Sequence, residues 1–435
     1  MPSLASQALL PAAIAAGLIL FLANFLGGNP GISGWDANHY FSHAAAIASG
    51  DGLVLDGAYE AILARGGDPA AFGLGRRTPT GQAINHYPHG HGLLQAPAVV
   101  ATSAIARLLG ARDPAHGLPG QLAFCLSAIA LAALGVWLMR DWIARTLDDE
   151  AAAAGLLALL AASPLAYYWF ILPALSHTST LLVAGLATVL VLRIVTRGEA
   201  STAREWLLLG FVLGWGVTVR LHDVGLAGYA LAVFVVEARA RHGGARLARL
   251  SAAGIVGAAV ALLPQVLHGQ WREGAFLPRS ANDYSHFDFT DMHLLEVLFS
   301  PRHGLFLWHP VLLAGAIGFV MWLRRERAAP ARALGLAWTV HFLAIWIVGA
   351  GYSIWWFGDS FGSRPFLSVL PLFWVGLAEL WRRAASTTRG RWMFLGAVGT
   401  LGAWNGLLMV AFHLGWISRS GPLDFAQLAA AVGLR

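Results

Sequence analysis

The sequence predicts an all-α polytopic membrane protein that forms a single domain over residues 1–435, with about eleven transmembrane helices. Of its 435 residues, 57% are hydrophobic and only 12% are charged, about half the charged fraction of a soluble domain. The 18 Trp and 50 Gly residues fit this class, because Trp collects at membrane interfaces and Gly at helix contacts. Apolar stretches also recur along the whole chain.

The first apolar stretch, residues 3–27, is too long for the core of a signal peptide and has no charged leader, so we expect a retained helix. The other predicted crossings are 119–139, 152–172, 178–192, 206–219, 224–236, 250–267, 304–323, 333–350, 365–381 and 392–414. Several are shorter than the ~20 residues that cross a bilayer, so we expect tilted or broken helices there.

Arginine positions predict the orientation. Seventeen of the 29 basic residues lie in five short loops, and the chain contains no lysine; the loops are 140–151, 193–205, 237–249, 324–332 and 382–391. All five fall on one side only if residues 92–110 lie along the interface instead of crossing. The positive-inside rule then puts the N-terminus inside and the C-terminus outside. We therefore expect the basic residues behind the net charge of +6 to contact membrane lipid, and we expect no nucleic-acid partner.

The opposite face carries a first external loop at 28–118 and a second large one at 268–303, with shorter loops between other crossings. These loops are rich in Asp, His, Tyr and Trp, and functional side chains are common on such loops. The single cysteine, Cys125, excludes an intrachain disulfide and a thiolate metal cage.

Asp36 follows the first crossing, in "SGWDANHYF". Two interpretations stay open. Asp36 could be a structural capping residue at the interface. Alternatively, it is a general base whose pKa is tuned by partial burial beside aromatic rings. His39, one helical turn further on, is a candidate for sugar or acceptor binding.

The segment "INHYPHGHGLLQAP", residues 84–97, places His86, His89 and His91 around Tyr87. Their spacing fits no known metal motif, and no acidic residue completes one. We therefore expect Tyr87 and His89 to donate to a phosphate or to sugar hydroxyls. No cofactor is predicted, and a divalent metal is the less favoured alternative.

Three later loops add ionisable residues at the same face. "GVTVRLHDVG" holds Arg220, His222 and Asp223 at the end of an apolar run, where such groups are functional candidates. The alternative is an Arg220–Asp223 pair that closes a tight turn.

The second large loop contributes Asp283, and "SPRHG" places Arg302 at the mouth of the next crossing. "GYSIWWFGDSFGSRP" contributes Asp359 and Arg364 on a glycine-rich turn.

The order of these segments resembles the integral-membrane glycosyltransferases of the C superfamily, in particular the bacterial branch related to protein mannosyltransferases and lipid A aminoarabinose transferase. The matching elements are the acidic residue that opens the first external loop, "HYPHGHGLLQAP" before an interfacial helix, and the late "WWFGDSFGSRP". The resemblance implies Asp36 as the catalytic carboxylate. The sequence departs from the family pattern at two points. Ala37 follows Asp36 where the family often has a second acidic residue, and Tyr87-Pro88 stands where some relatives have a Lys-Pro element.

The resemblance implies a donor with one sugar on a polyprenyl phosphate and an acceptor hydroxyl on a glycan, lipid or protein. Transfer would occur at the outer face of the bacterial inner membrane, most simply with inversion. The donor phosphate would need Arg220, Arg302 or Arg364 in place of the missing lysine. Sugar or acceptor contacts are expected from His39, Tyr87, His89, His222, Asp223, Asp283 and Asp359. Two alternatives stay open: a transporter or flippase of a lipid-linked sugar, and a ligase- or polymerase-like enzyme that uses a lipid diphosphate.

Overall fold

The computed structural model describes residues 4–27, 31–66, 77–240, 243–275, 286–431 and 433. Within these ranges the regular structure is helical, with isolated β-bridges at Arg77–Ala83 and Phe287–Tyr352. This confirms the predicted all-α class. The α-helices are α1 Leu4–Leu26, α2 Trp35–Ser49, α3 Asp56–Ala64, α4 Gly90–Leu108, α5 Leu118–Thr146, α6 Asp149–Ala162, α7 His177–Arg197, α8 Ala203–Val219, α9 Ala227–Arg239, α10 Gly244–Glu273, α11 Leu294–Phe299, α12 Leu305–Trp308, α13 Pro310–Arg325, α14 Ala329–Ala350, α15 Leu370–Ala384, α16 Thr388–His413 and α17 Phe425–Ala431.

Seven described helices are long and apolar enough to cross a membrane, as expected of a multi-pass membrane protein. These candidate spans are Ala8–Leu26, Leu118–Thr146, His177–Ala200, Leu221–Arg239, Gly244–Glu273, Ala329–Ala350 and Thr388–His413.

The other predicted crossings fall on shorter or interrupted helices. The stretch 152–172 is broken after α6 and resumes as a π-helical turn at Tyr167–Ile171. The stretch 304–323 is divided between α12 and α13. Helices of 14 to 17 residues such as α6, α8, α13 and α15 fall short of the ~20 residues of a simple span. The count of eleven and the orientation therefore stay predictions.

Glycines bring membrane helices into backbone contact. A Cβ atom on Gly210 of α8 would collide with the carbonyl oxygen of Gly254 in α10, and one on Gly376 of α15 with that of Gly315 in α13. Small residues allow such close approach, and van der Waals packing then drives helix association in lipid. The glycine content noted in the sequence thus builds the scaffold.

Helix α2 forms an interior platform in the segment between α1 and α4, and eleven of its fifteen residues are buried. Gly34, with φ +87°, turns the chain into the helix through a conformation that favours glycine. Asp36 lies in the first turn, where the positive end of the helix dipole stabilises a carboxylate. Because α2 is packed on most sides, Asp36 is held on a rigid element.

Two helix interruptions carry the arginines of interest. Arg220 lies in extended backbone between α8 and a 3-10 segment, Leu221–Leu226. Arg364 opens a second 3-10 segment, Arg364–Val369, directly before α15. The turn before it includes Gly362, with φ +65°, packed against the ring of His309.

Candidate active site

The carboxylate of Asp36 is the centre of a partly buried polar cluster. Its Oδ1 accepts a hydrogen bond from the Tyr87 hydroxyl at 2.6 Å, and its Oδ2 accepts one from Arg364 Nη1 at 2.7 Å. These residues come from α2, the loop before α4 and the segment before α15. The N-cap of α2 is Gly34, and the Asp36 side chain faces Tyr87 and Arg364, so the capping interpretation is not supported.

Electrostatics favour the ionised form of Asp36. Burial alone would raise its pKa, but the charge of Arg364 and the hydrogen bonds from Tyr87 and Arg364 together lower the pKa below its usual value. Burial and the negative charge of Asp36 raise the pKa of Tyr87 well above its usual value. Tyr87 therefore stays protonated and acts as a donor to a carboxylate at neutral pH.

A second arginine lies close to the first. Arg220 contacts the ring of His177, and that ring packs against Tyr168 with centroids 4.9 Å apart. Burial alone would lower the pKa of Arg364, but Asp36, Tyr168 and Tyr87 raise it above its usual value. Tyr168 thus lies near Arg364 and is linked to Arg220 through the ring of His177.

Tyr40 links the two arginines to the platform helix. Burial raises its pKa to about 12, opposed by the positive charges of both Arg220 and Arg364. Its hydroxyl accepts a hydrogen bond from Ser176 at 3.0 Å, and its ring lies 4.9 Å from that of Tyr87. The structure therefore gathers Asp36, Tyr87, Arg220 and Arg364 into one region.

Asn85 organises the segment that carries Tyr87, and the sequence did not single it out. Its Nδ2 donates to the His39 carbonyl at 3.1 Å and to His43 Nε2 at 3.2 Å, while its Oδ1 accepts from the Tyr87 backbone N–H at 2.9 Å. Its own carbonyl accepts from Arg272 Nη2 at 2.6 Å. A fully buried amide within "INHYPHG" is the signal that could have drawn attention to it.

Two further residues that the sequence predicted as sugar or acceptor contacts, His39 and His89, have different surroundings. His39 is buried, its Nδ1 lies 2.9 Å from the Tyr59 hydroxyl, and its ring lies 5.5 Å from that of Tyr87. His89 is also buried and packs against His268, with ring centroids 5.3 Å apart. His39 thus borders the Asp36 cluster, whereas His89 belongs to a neighbouring group of rings.

Arg302 has a different environment from the other two arginines. Its guanidinium lies 3.4 Å from the centroid of the Trp356 ring, and its Nε donates to the Ser420 carbonyl at 2.6 Å. Asp359 is exposed on the turn before Arg364. Asp283 lies outside the described residues.

The segment after Arg220 packs one side against α14, with Asp223, Gly225 and Leu226 buried. Asp223 is fully buried and lies 3.9 Å from His341 Nε2, and its backbone N–H donates to the Arg220 carbonyl at 3.0 Å. His222 packs against Tyr352 with ring centroids 5.4 Å apart. Arg220 contacts His177 instead of Asp223, so the alternative of an Arg220–Asp223 pair is not supported.

The described part of the chain contains no group of three or more His, Cys, Asp or Glu side chains arranged to hold a metal ion. Metal independence stays a prediction. The chemistry available at Asp36 is that of a largely buried carboxylate paired with the Arg364 guanidinium, with the charge of Arg220 near the adjacent Tyr40.

No protein-family model matches the chain. No curated protein matches its sequence either. Among solved structures, the chain is similar to the crystal structure of ArnT from Cupriavidus metallidurans bound to undecaprenyl phosphate, with a TM-score of 0.50 and 16% sequence identity. The likeness covers 98% of this chain and 68% of the ArnT chain. It confirms the fold that the motif resemblance implies.

Proposed function

We propose that this chain, which has an ArnT-like fold, is a glycosyltransferase of the bacterial inner membrane. It transfers one sugar from a polyprenyl-phosphate donor to an acceptor hydroxyl at the periplasmic face. The observation that carries the proposal is the largely buried ion pair in which Arg364 Nη1 lies 2.7 Å from Asp36 Oδ2, with the charge of Arg220 near the adjacent Tyr40. The ArnT structure contains undecaprenyl phosphate, which is a polyprenyl phosphate of the class we propose as the carrier.

The two buried arginines would bind the donor phosphate. A guanidinium presents up to five N–H donors in a planar fork, so Arg364 can contact a phosphate while it keeps a bond to Asp36. Arg220, whose charge also acts on Tyr40, would supply a second positive charge. Such preorganised charges stabilise a phosphate leaving group as negative charge develops on it.

Asp36 would act as the general base. Its lowered pKa keeps the carboxylate ionised at neutral pH, and its position on α2 holds it at a fixed depth. The bond between the anomeric carbon and the phosphate oxygen breaks as the acceptor oxygen bonds to that carbon, and the acceptor proton passes to Asp36. A single displacement of this kind inverts the anomeric centre through an oxocarbenium-like transition state.

Aromatic and imidazole groups beside Asp36 would contact the sugar or acceptor. The ring centroids of His39 and Tyr87 lie 5.5 Å apart. Tyr87 would have a double role, because its hydroxyl also donates to Asp36.

The experiment begins with mass spectrometry of the lipid that co-purifies with the full-length protein and with an Asp36→Asn variant. We expect a polyprenyl phosphate that carries one sugar, enriched in the variant because turnover is blocked. Adding acceptor to the unmodified protein should consume this lipid and release the polyprenyl phosphate. A lipid diphosphate donor, or movement of intact lipid across vesicles without bond formation, would contradict the proposal.

A further inference from the structure

His341 of α14 lies between the two 3-10 segments that accompany the arginines of the candidate site. The first segment is Leu221–Leu226 and the second is Arg364–Val369, and both pack on α14. The imidazole is fully buried, and its Nε2 lies 3.9 Å from Oδ1 of Asp223 and 3.3 Å from Oγ of Ser368. Asp223 belongs to the first segment and Ser368 to the second, so one nitrogen atom faces both.

Both contacts of this imidazole lead back to the backbone beside an arginine. The Asp223 backbone N–H donates to the Arg220 carbonyl at 3.0 Å. The Ser368 hydroxyl donates to the Pro365 carbonyl at 3.2 Å, directly after Arg364. A shift of the imidazole would therefore be passed to both arginine backbones.

The hydrogen bonds of Ser368 determine which nitrogen of His341 carries a proton. A serine hydroxyl has one proton, and that of Ser368 is given to the Pro365 carbonyl. Its oxygen can then only accept from His341 Nε2, so this nitrogen is protonated. The same protonated nitrogen lies on the Asp223 side of the ring, where a carboxylate oxygen attracts it.

Asp223 depends on this imidazole for a partner. Its side chain is buried, and neither carboxylate oxygen has a hydrogen-bond partner among the residues that the structure describes. It also lies in the candidate span Leu221–Arg239, and His341 lies in the candidate span Ala329–Ala350. A carboxylate in such surroundings is costly unless a positive or N–H group faces it. The attraction to His341 therefore holds the first segment against α14.

Close packing adds to this restraint. A Cβ atom on Gly225 of the first segment would lie 2.8 Å from Cδ2 of His341 and 3.1 Å from its carbonyl oxygen. The segment thus touches the ring and the backbone of α14 with no space for a side chain between them. In an interior packed this tightly, a change of the ring is expected to move the segment.

We propose that His341 is a positioning residue that sets the separation of Arg220 and Arg364 for the donor phosphate, acting through Asp223 and Ser368. The inference rests on the proposed function, since it requires both arginines to bind the donor. Loss of the imidazole should therefore affect both arginines together, whereas loss of Asp223 or Ser368 should affect mainly the arginine of its own segment.

Double-mutant cycles test this scheme, with undecaprenyl phosphate as the probe and equilibrium binding to the full-length protein as the measurement. His341→Leu should weaken binding about tenfold, as expected for groups coupled through one network. Its effect should be less than additive with Arg220→Ala and also with Arg364→Ala. Ser368→Ala should show this coupling mainly with Arg364→Ala, and Asp223→Asn mainly with Arg220→Ala.

Two further variants separate positioning from general damage to the fold. His341→Gln should restore much of the binding, because its amide can donate from near the position of Nε2. The double variant Asp223→Leu/His341→Leu leaves no unpaired buried charge, which favours folding, and should still bind the probe weakly. Circular dichroism and thermal unfolding show that each variant is folded.

His116→Leu is the matched control. Nδ1 of His116 lies 2.8 Å from Oδ1 of Asp113, so this variant also breaks a pair between a buried imidazole and an aspartate, but one before α5. It should leave binding of the probe unchanged and should be additive with both arginine variants.

The outcomes distinguish this inference from the proposed function. Normal binding in His341→Leu, or strict additivity with both arginine variants, would overturn the inference if Arg220→Ala and Arg364→Ala themselves weaken binding. Equal coupling of His116→Leu to the arginines would also overturn it, because the effect would then be one of stability. Normal binding in both arginine variants would contradict the proposed donor site and the inference with it.

Discussion

Arg364 Nη1 donates to Asp36 Oδ2 at 2.7 Å, although the two residues are 328 positions apart in the chain. Both side chains are largely buried, at 19% and 23% exposure. A buried charge left without its partner is strongly destabilising. The pair therefore holds the segment before α15 against α2. It also positions a carboxylate and a guanidinium so that both can contact the same substrate.

Replacing Asp36 should separate binding from chemistry. Asp36→Asn keeps the size of the side chain but cannot take a proton, so we expect turnover to fall by about 10²–10⁴ with donor binding retained. Asp36→Glu should also be poor, because the extra methylene displaces the carboxylate by about 1 Å. Single-turnover rates and donor affinity are the measurements. Near-normal turnover of Asp36→Asn, with activity abolished by a change at Asp223 or Asp359, would place the base elsewhere.

The three candidate arginines should differ in their effect on donor binding. Arg364→Ala and Arg220→Ala should weaken binding of undecaprenyl phosphate, used as the probe, by about 2–5 kcal/mol. Arg302→Ala should bind nearly normally, because its guanidinium is held by Trp356 and the Ser420 carbonyl. Arg364→Lys should restore binding only in part, since an ammonium cannot fork. If all three alanine variants bind the probe normally, the donor phosphate contacts other residues.

Tyr87 should set the pH dependence of the reaction. Its hydrogen bond lowers the pKa of Asp36, so Tyr87→Phe should raise that pKa. The acidic limb of the kcat–pH profile, where the base becomes protonated, should then move to higher pH. Tyr229→Phe is the matched control, because this buried tyrosine pairs with Trp338 instead of Asp36. An unmoved acidic limb in Tyr87→Phe would show that Asp36 is not the group that titrates.

Sequence patterns were sufficient for the fold class and for part of the site. Composition predicted the membrane helices. A charged residue at the end of an apolar run drew attention to Asp36 and Arg220, and a glycine-rich turn drew attention to Arg364. From charge alone, Arg302 was as good a candidate for the donor phosphate as Arg220 and Arg364. No local sequence pattern reveals that its guanidinium stacks on Trp356.

Other features depend on contacts between distant elements. Asn85 matters because α2, the Tyr87 backbone and α10 meet at its amide and carbonyl. Helix length could be predicted only where the apolar run is unbroken, and turns such as Tyr167–Ile171 interrupt several runs.

Asn85→Ala should lower both stability and turnover. It removes buried hydrogen bonds to His39, His43 and Tyr87, and leaving such partners unpaired costs about 1–3 kcal/mol each. Asn405→Ala is the matched control, since this buried amide donates to the Ala161 and Ser163 carbonyls. We expect similar losses of thermal stability in the two variants but a fall in kcat only in Asn85→Ala. An equal fall in kcat in both variants would show that Asn85 has only a structural role.

Cysteine labelling tests the orientation in the membrane that the arginine positions predict. With the buried Cys125 replaced by Ala, single cysteines are introduced at Glu60, Ala240 and Ser386, all exposed positions. An impermeant maleimide added to intact cells should label position 60 and leave 240 and 386 unlabelled, because the positive-inside rule keeps the basic loops in the cytoplasm. Permeabilised cells, in which all three should react, provide the control. If α4 crosses the bilayer instead of lying along it, the first external loop and the basic loops share one side, so positions 60 and 240 would be labelled together.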